Sequence, residues 1–449
     1  MKVIPFVHEG LGNSSYLVQL GPDSALLVDP DRSVGRYLHE AGARGLRIAG
    51  VLETHLHADF VTGSRELLEL TGVEPHASRA GHVQFPHRGV EAGDDFAIEE
   101  LRVRVVGSPG HTPEHVSYVL EAPRGEAPVL FSGGSLIVGG AARTDLVSPD
   151  MTEELTRAQF RTLKNAFAVL PDETILYPTH GGGSFCSTGA GRDRSSTLGR
   201  ERESNPLLQF DDEDEFVTWF PTTFPAAPDY FYKLRPINQA GPRLRSTINN
   251  PPEVSPAELR DGIASGGVVD TRPINDYMRG HIRGAVSIAF RPAYSTWLGW
   301  VVSLGTPLYF VIGSEPIENV VNESLLVGHE NLAGVLAGSL EDWERAGLDI
   351  QTTRSLAPDD VRALLKDGAV ALDVRERGEF AGGHIEGATN LPLGEIPTSS
   401  GVPKGVPIVA YCGHGERSMT GISLLERNGV DAWNLEGGFG AWNRPSRRS

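Results

Sequence analysis

The sequence predicts an α/β protein in three parts, and three observations predict it. The chain has 449 residues; at roughly 100–200 residues per domain this suggests two to four domains. A phrase recurs within it. Val268 to Ala285 (VVDTRPINDYMRGHIRGA) is matched by Ala371 to Ala388 (ALDVRERGEFAGGHIEGA), at an offset of 103 residues, with Asp270–His281 and Asp373–His384 both eleven residues apart. Ten of the fourteen histidines lie before residue 181, so metal chemistry belongs to the first part.

The bulk numbers narrow the class. Hydrophobic residues at 39% and charged residues at 22% fit an ordinary globular protein. A net charge of −18 argues against nucleic acid or an anionic membrane as partner, since both reward basic surfaces. The start, MKVIPFVHEG, has no charged segment followed by a long apolar stretch, so neither a secretory signal nor a spanning helix is expected. The two cysteines, Cys186 and Cys412, cannot staple three domains. A reducing cytoplasm is the expected home, and each cysteine is weighed as chemistry. Oligomeric state is left open, a homo-oligomer included.

In the first part, Val51–Thr54 reads as a short strand leading into His55-Leu-His57-Ala-Asp59-Phe60. Arg102–Val106 leads into Gly110-His111-Thr-Pro-Glu-His115, and a third apolar run leads through Tyr177-Pro-Thr into His180 and on to Cys186. Histidines on strand-end loops suit a metal held by neutral imidazoles. His115, His82 and His87 read as surface or capping histidines, and the acidic run Asp211–Glu215 as a solvated loop. Gly241–Pro256 has no core periodicity and reads as a linker. Gln351–Ser355 is a shorter junction. The expected boundaries are therefore 1–240, 241–351 and 352–449.

Each repeat opens with a helix signal, Ser255-Pro-Ala-Glu and Ala357-Pro-Asp-Asp, with Pro near the first helical position. A short apolar strand ending in Asp follows, then a further strand and helix. That alternation implies a parallel sheet covered on both faces. In the second repeat, Ile408–Tyr411 is a strand, Met419, Ile422 and Leu425 mark a helix, and Asn428-Gly429 closes it. The loop Cys412-Gly413-His414-Gly415-Glu416-Arg417-Ser418 lies between them. Backbone N–H groups and the helix N-terminus favour a thiolate there, and Arg417 adds positive charge.

This strand–loop–helix, with Asp-x-Arg and His-Ile-x-Gly-Ala upstream, resembles the rhodanese family. The resemblance implies that Cys412 takes up a sulfane sulfur as a persulfide and passes it on, with thiosulfate as a donor. Asp373 and Arg375 then brace the loop. The first repeat departs from the pattern: either Gly313 or Ile312 falls opposite Cys412, and Glu318 stands where Arg417 does. That domain is expected to be catalytically silent.

The phrases Thr54-His-Leu-His-Ala-Asp59, Ser108-Pro-Gly-His-Thr-Pro113, Arg143-Thr-Asp145 and His180-Gly-Gly-Gly-Ser-Phe-Cys186 resemble the metallo-β-lactamase superfamily, and within it persulfide dioxygenases fused to rhodanese domains. The fold implied is an αββα metallo-β-lactamase sandwich followed by two rhodanese-like doubly wound α/β domains. Two positions depart from the superfamily's ligand pattern: Phe60 replaces a His, and Gly134 replaces the lone Asp. What survives is His55, His57 and His111, with Asp59 and His180 as partial compensation. Such a set holds one Fe²⁺ or Zn²⁺, and no metal at all is the equal alternative. The resemblance implies a small thiol or persulfide substrate, such as glutathione persulfide, with Cys186 placed to bind or carry it. Three readings follow: a persulfide dioxygenase joined to a sulfurtransferase, a sulfurtransferase on a retired persulfide-binding scaffold, and a mononuclear zinc hydrolase.

Overall fold

Along the strand Ser24–Val28, Leu26 and Val28 enter one buried cluster while Ala25 and Leu27 enter another. The strand Val129–Gly133 does the same: Val129 and Phe131 face the first cluster, and Leu130 faces a third. A side-chain period of two, apolar on both faces, places each strand in a sheet covered on both sides.

These features belong to a computed structural model, which describes residues 1–121, 125–188, 191, 193–264, 267–403 and 405–444. Residues 445–449, which the sequence assigns to the third part, lie outside them. The chain divides into two compact units, Met1–Ile248 with Leu325–Gly328, and Asn249–Ser324 with His329–Ser449.

The first unit is built on two six-stranded sheets. One runs in the order Lys2–His8, Asn13–Gln19, Ser24–Val28, Arg47–Leu52, His76–Ser78, Arg88–Val90. The other runs Ser196–Thr197, Ile175–Pro178, Val129–Gly133, Val116–Glu121, Leu101–Gly107, Asp95–Ile98. Tyr16, Leu26 and Leu52 of the first meet Val103, Tyr118 and Phe131 of the second in a shared core. Outside the first sheet, Val34, Tyr37 and Ala41 of the helix Val34–Ala43 and Leu67 of Ser64–Thr71 cover Leu17, Leu27 and Val51. Outside the second, Phe160 and Phe216, from the helices Thr152–Arg161 and Glu213–Trp219, cover Val119, Leu130 and Leu176. The layers are helix, sheet, sheet, helix.

The acidic run is not a loop. Asp212 is the N-cap of the helix Glu213–Trp219, its carboxylate accepting from Glu215 N at 2.8 Å, and three acidic residues fill the first turn. Negative charge there is stabilised by the free N–H groups and the helix dipole.

The second unit holds two five-stranded parallel sheets with one order. The first runs Glu253–Val254, Leu332–Leu336, Leu308–Val311, Val268–Asp270, Val286–Ser287; the second runs Ser355–Leu356, Ala432–Leu435, Ile408–Tyr411, Val370–Asp373, Thr389–Asn390. The expected helix starts are present: Pro256–Ile263 carries a capping box between Ser255 and Glu258, and Pro358–Lys366 has Pro in its first turn. The end of the segment read as a linker is already structure, since Glu253–Val254 pairs with Val335–Leu336. Similarly, Ile350–Gln351 pairs with His281–Ile282. Among the described residues no helix is long and apolar enough to cross a membrane.

Candidate functional site

The cysteine loop is built from the strand end outward. Ile408–Tyr411 is buried throughout, and Cys412 follows it at 2% exposure. Gly415 then adopts a positive φ of 124° before the helix Glu416–Arg427 begins. The Gly415 N–H donates to Cys412 Sγ at 3.1 Å, and the Ser418 hydroxyl lies 3.7 Å from the sulfur. The loop carbonyls are tied elsewhere: Phe439 N–H donates to Cys412 O at 2.7 Å and Gly440 N–H to Gly413 O at 3.1 Å. This approach requires glycine at 438, where φ is +60° and a Cβ would lie 2.4 Å from Cys412 O. With the Cys412 and Gly413 carbonyls held by the helix Gly438–Trp442, the loop presents the Gly415 amide to the sulfur at the N-terminus of the helix Glu416–Arg427.

Arg417 forms a two-pronged ion pair with Glu379, at 2.6 and 2.7 Å. That pairing outweighs burial and holds its pKa above the ordinary arginine range. Asp373 and Arg375 do not reach the sulfur. Arg375 folds back on Asp373 (2.6 and 2.9 Å), donates to Gly383 O and stacks on the Phe439 ring at 4.3 Å. They brace the helix Gly438–Trp442, which holds Phe439. His414 is exposed, Gly413 and Glu416 are half-buried, and Ser418 is buried with its hydroxyl on Asn434 Oδ1 at 2.7 Å.

One residue near this centre was missed from sequence. Arg291, contributed by the other repeat, is half-buried, and its strongest influence is burial, which lowers its pKa. Glu416 and Cys412 act against that by attraction, and Arg417 acts with it by repulsion. The repeats also touch at this helix: Ser287 N–H donates to Ser423 Oγ at 3.1 Å. No local motif marks Arg291, because it acts from across the repeat.

Strand register places the corresponding loop of the first repeat. Asp270 pairs with Val311 as Asp373 pairs with Tyr411, so Ile312 stands opposite Cys412. Glu315 fills the loop: its carboxylate accepts from Thr271 Oγ1 at 2.7 Å and Gly313 N at 3.4 Å.

The histidines lie in the first unit. His55, His57, Asp59, His111, His115, His180 and Cys186 are all buried. The surface or capping reading of His115 does not hold. Its Nε2 accepts from Gly134 N–H at 3.0 Å, its Nδ1 meets Ser108 Oγ at 2.9 Å, and its ring stacks on His55 at 4.8 Å. His82 is exposed and His87 half-buried.

Among the described residues, donor atoms within 4.8 Å of one another form three groups: His55, His57 and His180; His111, His180 and Cys186, which shares His180 with the first; and Asp29, Glu53 and His57, which shares His57 with it. His111 thus joins the cluster through His180 and Cys186. His55 Nε2 and His180 Nε2 are 3.3 Å apart. His57 Nε2 faces Glu53 at 3.2 Å and Asp29 at 3.4 Å. Burial would pull His57 down, but the two carboxylates outweigh it and push its pKa up to about 10. Burial, aided by His180, drops His111 to about 3; burial and neighbouring imidazoles hold His55 and His115 well below the usual range. Asp59 is held below the usual carboxylate range because His180 outweighs its burial. Burial, then Asp59, pushes the Cys186 thiol well up.

The two divergent positions are occupied by packing. Phe60 stacks on His57 at 4.1 Å. A Cβ at Gly134 would lie 2.7 Å from His111 Cδ2, so the imidazole fills the place where a side chain would enter. The residues nevertheless fit a cation. His57 Nδ1, His111 Nε2 and Asp59 Oδ1 are buried without hydrogen-bond partners, an arrangement that is costly unless something completes it.

A Metallo-beta-lactamase superfamily model matches residues 8–180, and a Rhodanese-like domain model matches 255–346 and 357–445. The chain is 30% identical over 195 residues to the human protein named Persulfide dioxygenase ETHE1, mitochondrial, spanning 43% of this chain and 69% of that one. It is 34% identical over 158 residues to a hydroxyacylglutathione hydrolase of Methylobacillus flagellatus, spanning 35% of this chain and 57% of that one. Thus it covers less than two thirds of that hydrolase. A solved structure of a metallo-beta-lactamase from Staphylococcus aureus superposes with a TM-score of 0.66 at 27% identity, covering 75% of this chain and 98% of that one. Fold and centres together define a metallo-β-lactamase domain followed by two rhodanese-like domains. Within that class, the chain belongs to the persulfide dioxygenase family by its first part, which is followed by the two rhodanese-like domains.

Proposed function

We propose that the chain carries out sulfane-sulfur chemistry, with Cys412 as the nucleophile of a sulfurtransferase. The observation that carries this reading is the Gly415 N–H on Cys412 Sγ at 3.1 Å, in a loop whose carbonyls are tied away. The Cys412 thiolate attacks the outer sulfur of a donor such as thiosulfate. The S–S bond breaks, sulfite leaves with the electron pair, and a Cys412 persulfide remains. An acceptor thiolate, or cyanide in an assay, then takes the terminal sulfur and regenerates the thiolate. The loop stabilises the anion at both stages. Asp373 and Arg375 are positioning residues, Arg417 shapes the loop mouth through Glu379, and Arg291 adds positive charge for an anionic donor.

The first domain, in this reading, handles a small persulfide such as glutathione persulfide, and the cytoplasm is the expected setting. Its imidazoles would hold one Fe²⁺ or Zn²⁺. Fe²⁺ bound there would supply persulfide oxidation by O₂, as expected for a persulfide dioxygenase-like centre, and Zn²⁺ would supply hydrolysis. His57 is held in place by Asp29 and Glu53, and Phe60 keeps water from its ring face. Tethering two steps raises the local concentration of a shared intermediate. A second reading, a sulfurtransferase on a persulfide-binding scaffold without turnover, is favoured by the His111 ring against Gly134.

Thiosulfate:cyanide sulfurtransfer by the full chain tests the cysteine, and it must vanish in Cys412→Ser; retained activity would sink the assignment. Anaerobic metal analysis with O₂ uptake on glutathione persulfide separates the readings of the first domain. Iron with O₂ uptake supports the dioxygenase, zinc without uptake the hydrolase, and no metal with sulfurtransfer intact the scaffold.

A further inference from the structure

Glycine at position 134 offers the histidine cluster no carboxylate from that side, where the His111 ring lies against it. Asp29 and Glu53 face His57, and Asp59 faces His180 and Asn13, so an anionic donor beside His111 is what would lower the desolvation cost of a divalent cation held there. Cys186 is fully buried in the same cluster, and its sulfur lies within 4.8 Å of ligand nitrogens on His111 and His180.

The hydrogen bonds around these residues fix which nitrogens carry lone pairs. His111 Nδ1 lies 2.6 Å from the Arg143 carbonyl, which can only accept, so Nδ1 carries the proton and Nε2 the lone pair. That Nε2 is buried with no hydrogen-bond partner. His180 Nδ1 lies 3.0 Å from Asn13 Oδ1. The Asn13 amide is itself oriented, because its Nδ2 donates to the Asp59 carboxylate at 2.8 Å. His180 therefore also presents a lone pair at Nε2. His55 follows the same rule: Thr54 Oγ1 gives its proton to Asp29 at 2.7 Å and so accepts from His55 Nδ1 at 2.8 Å. Two nitrogen lone pairs, His55 Nε2 and His180 Nε2, then face each other at 3.3 Å. Such a pair repels unless a cation lies with it. Outward N–H groups on carbonyl oxygens, with the other nitrogen inward, are the usual support for metal-ligating histidines.

Arg143 ties the thiol to this frame. Its carbonyl holds His111, and its N–H donates to the Cys186 carbonyl at 2.8 Å. One residue thus holds the His111 ring and the Cys186 backbone, and its own guanidinium is anchored on Asp145 at 2.6 and 2.7 Å. Resting on the reading of the first domain as a metal centre, we propose that Cys186 is a metal ligand: with His111 and His180 it forms a nitrogen–nitrogen–thiolate site for a borderline cation such as Zn²⁺ or Fe²⁺, its thiolate replacing the carboxylate missing at position 134. Binding releases the thiol proton to solvent. The His57 end of the cluster, faced by Glu53 and Asp29, then serves as support and leaves the metal bound by the softer donors.

The test is X-ray absorption on the full-length chain carrying Cys412→Ser, loaded anaerobically with one equivalent of Zn²⁺, so that Cys186 is the sole thiol. The proposal expects one sulfur neighbour at about 2.3 Å. The same protein loaded with Co²⁺ should show a thiolate-to-cobalt charge-transfer band, lost in Cys186→Ser when circular dichroism shows an unchanged fold. A nitrogen- and oxygen-only shell would overturn the cysteine ligand while leaving a metal centre built on the imidazoles and carboxylates of the cluster. Failure to take up any metal would overturn the metal centre as well. Neither outcome bears on sulfurtransfer by Cys412, which is measured separately.

Discussion

In the repeat that contains Cys412, the Gly415 amide points at a thiol sulfur. In the repeat before it, the Gly313 amide and the Thr271 hydroxyl point at the carboxylate of Glu315. Around these opposite loops the frames agree. The sheets share one strand order. Arg272 folds onto Asp270 and Gly280 O as Arg375 folds onto Asp373 and Gly383 O. His281 stacks on Tyr277 at 3.8 Å, and His384 on Phe380 at 3.8 Å. The frame is retained because it packs the sheet. The repeats differ in a few loop residues: one presents a thiol sulfur to its loop amide, the other a carboxylate of its own.

The comparison can be broken most sharply at Cys412. Cys412→Ser should lower thiosulfate:cyanide sulfurtransfer by roughly 10³-fold or more, with the fold unchanged by circular dichroism. The next largest effect is on stability. Arg375→Ala and Arg272→Ala each leave a fully buried Asp unpaired, Asp373 or Asp270. Each should cost about 3–5 kcal/mol in denaturant unfolding, and equal costs would show that the brace serves the frame in both repeats. Arg291→Ala should raise KM for thiosulfate about tenfold, a loss of roughly 1.4 kcal/mol, with kcat nearly unchanged. A pure kcat effect would mean that Arg291 orders the loop and does not meet the donor. Smallest of all is the effect of Ile312→Cys placed in Cys412→Ser: no activity should return, because Glu315 already occupies the loop. Recovered sulfurtransfer would refute the account of silence.

Much of this was legible because the relevant residues are contiguous. The Cys412 loop, its strand and its helix lie within one short stretch, and turn and cap chemistry act over that range. The histidine phrases were legible for the same reason. What failed was long-range. His115 resembles a surface histidine until the Gly134 amide and Ser108 close around it. Asp29 and Glu53, which hold His57, carry no metal-ligand spacing. Arg291 belongs to one repeat and acts on the other. The choice between Ile312 and Gly313, which the sequence left open, needed sheet register. The acidic run was a local misreading: Asp212 ahead of three acidic residues is a helix start, and its signal was present in the sequence.

The central claim is tested most directly by mass spectrometry of the full chain after brief exposure to thiosulfate without acceptor. The account predicts one added sulfur atom on the peptide bearing Cys412, removed by cyanide. No added sulfur, or sulfur found only on the peptide bearing Cys186, would contradict it.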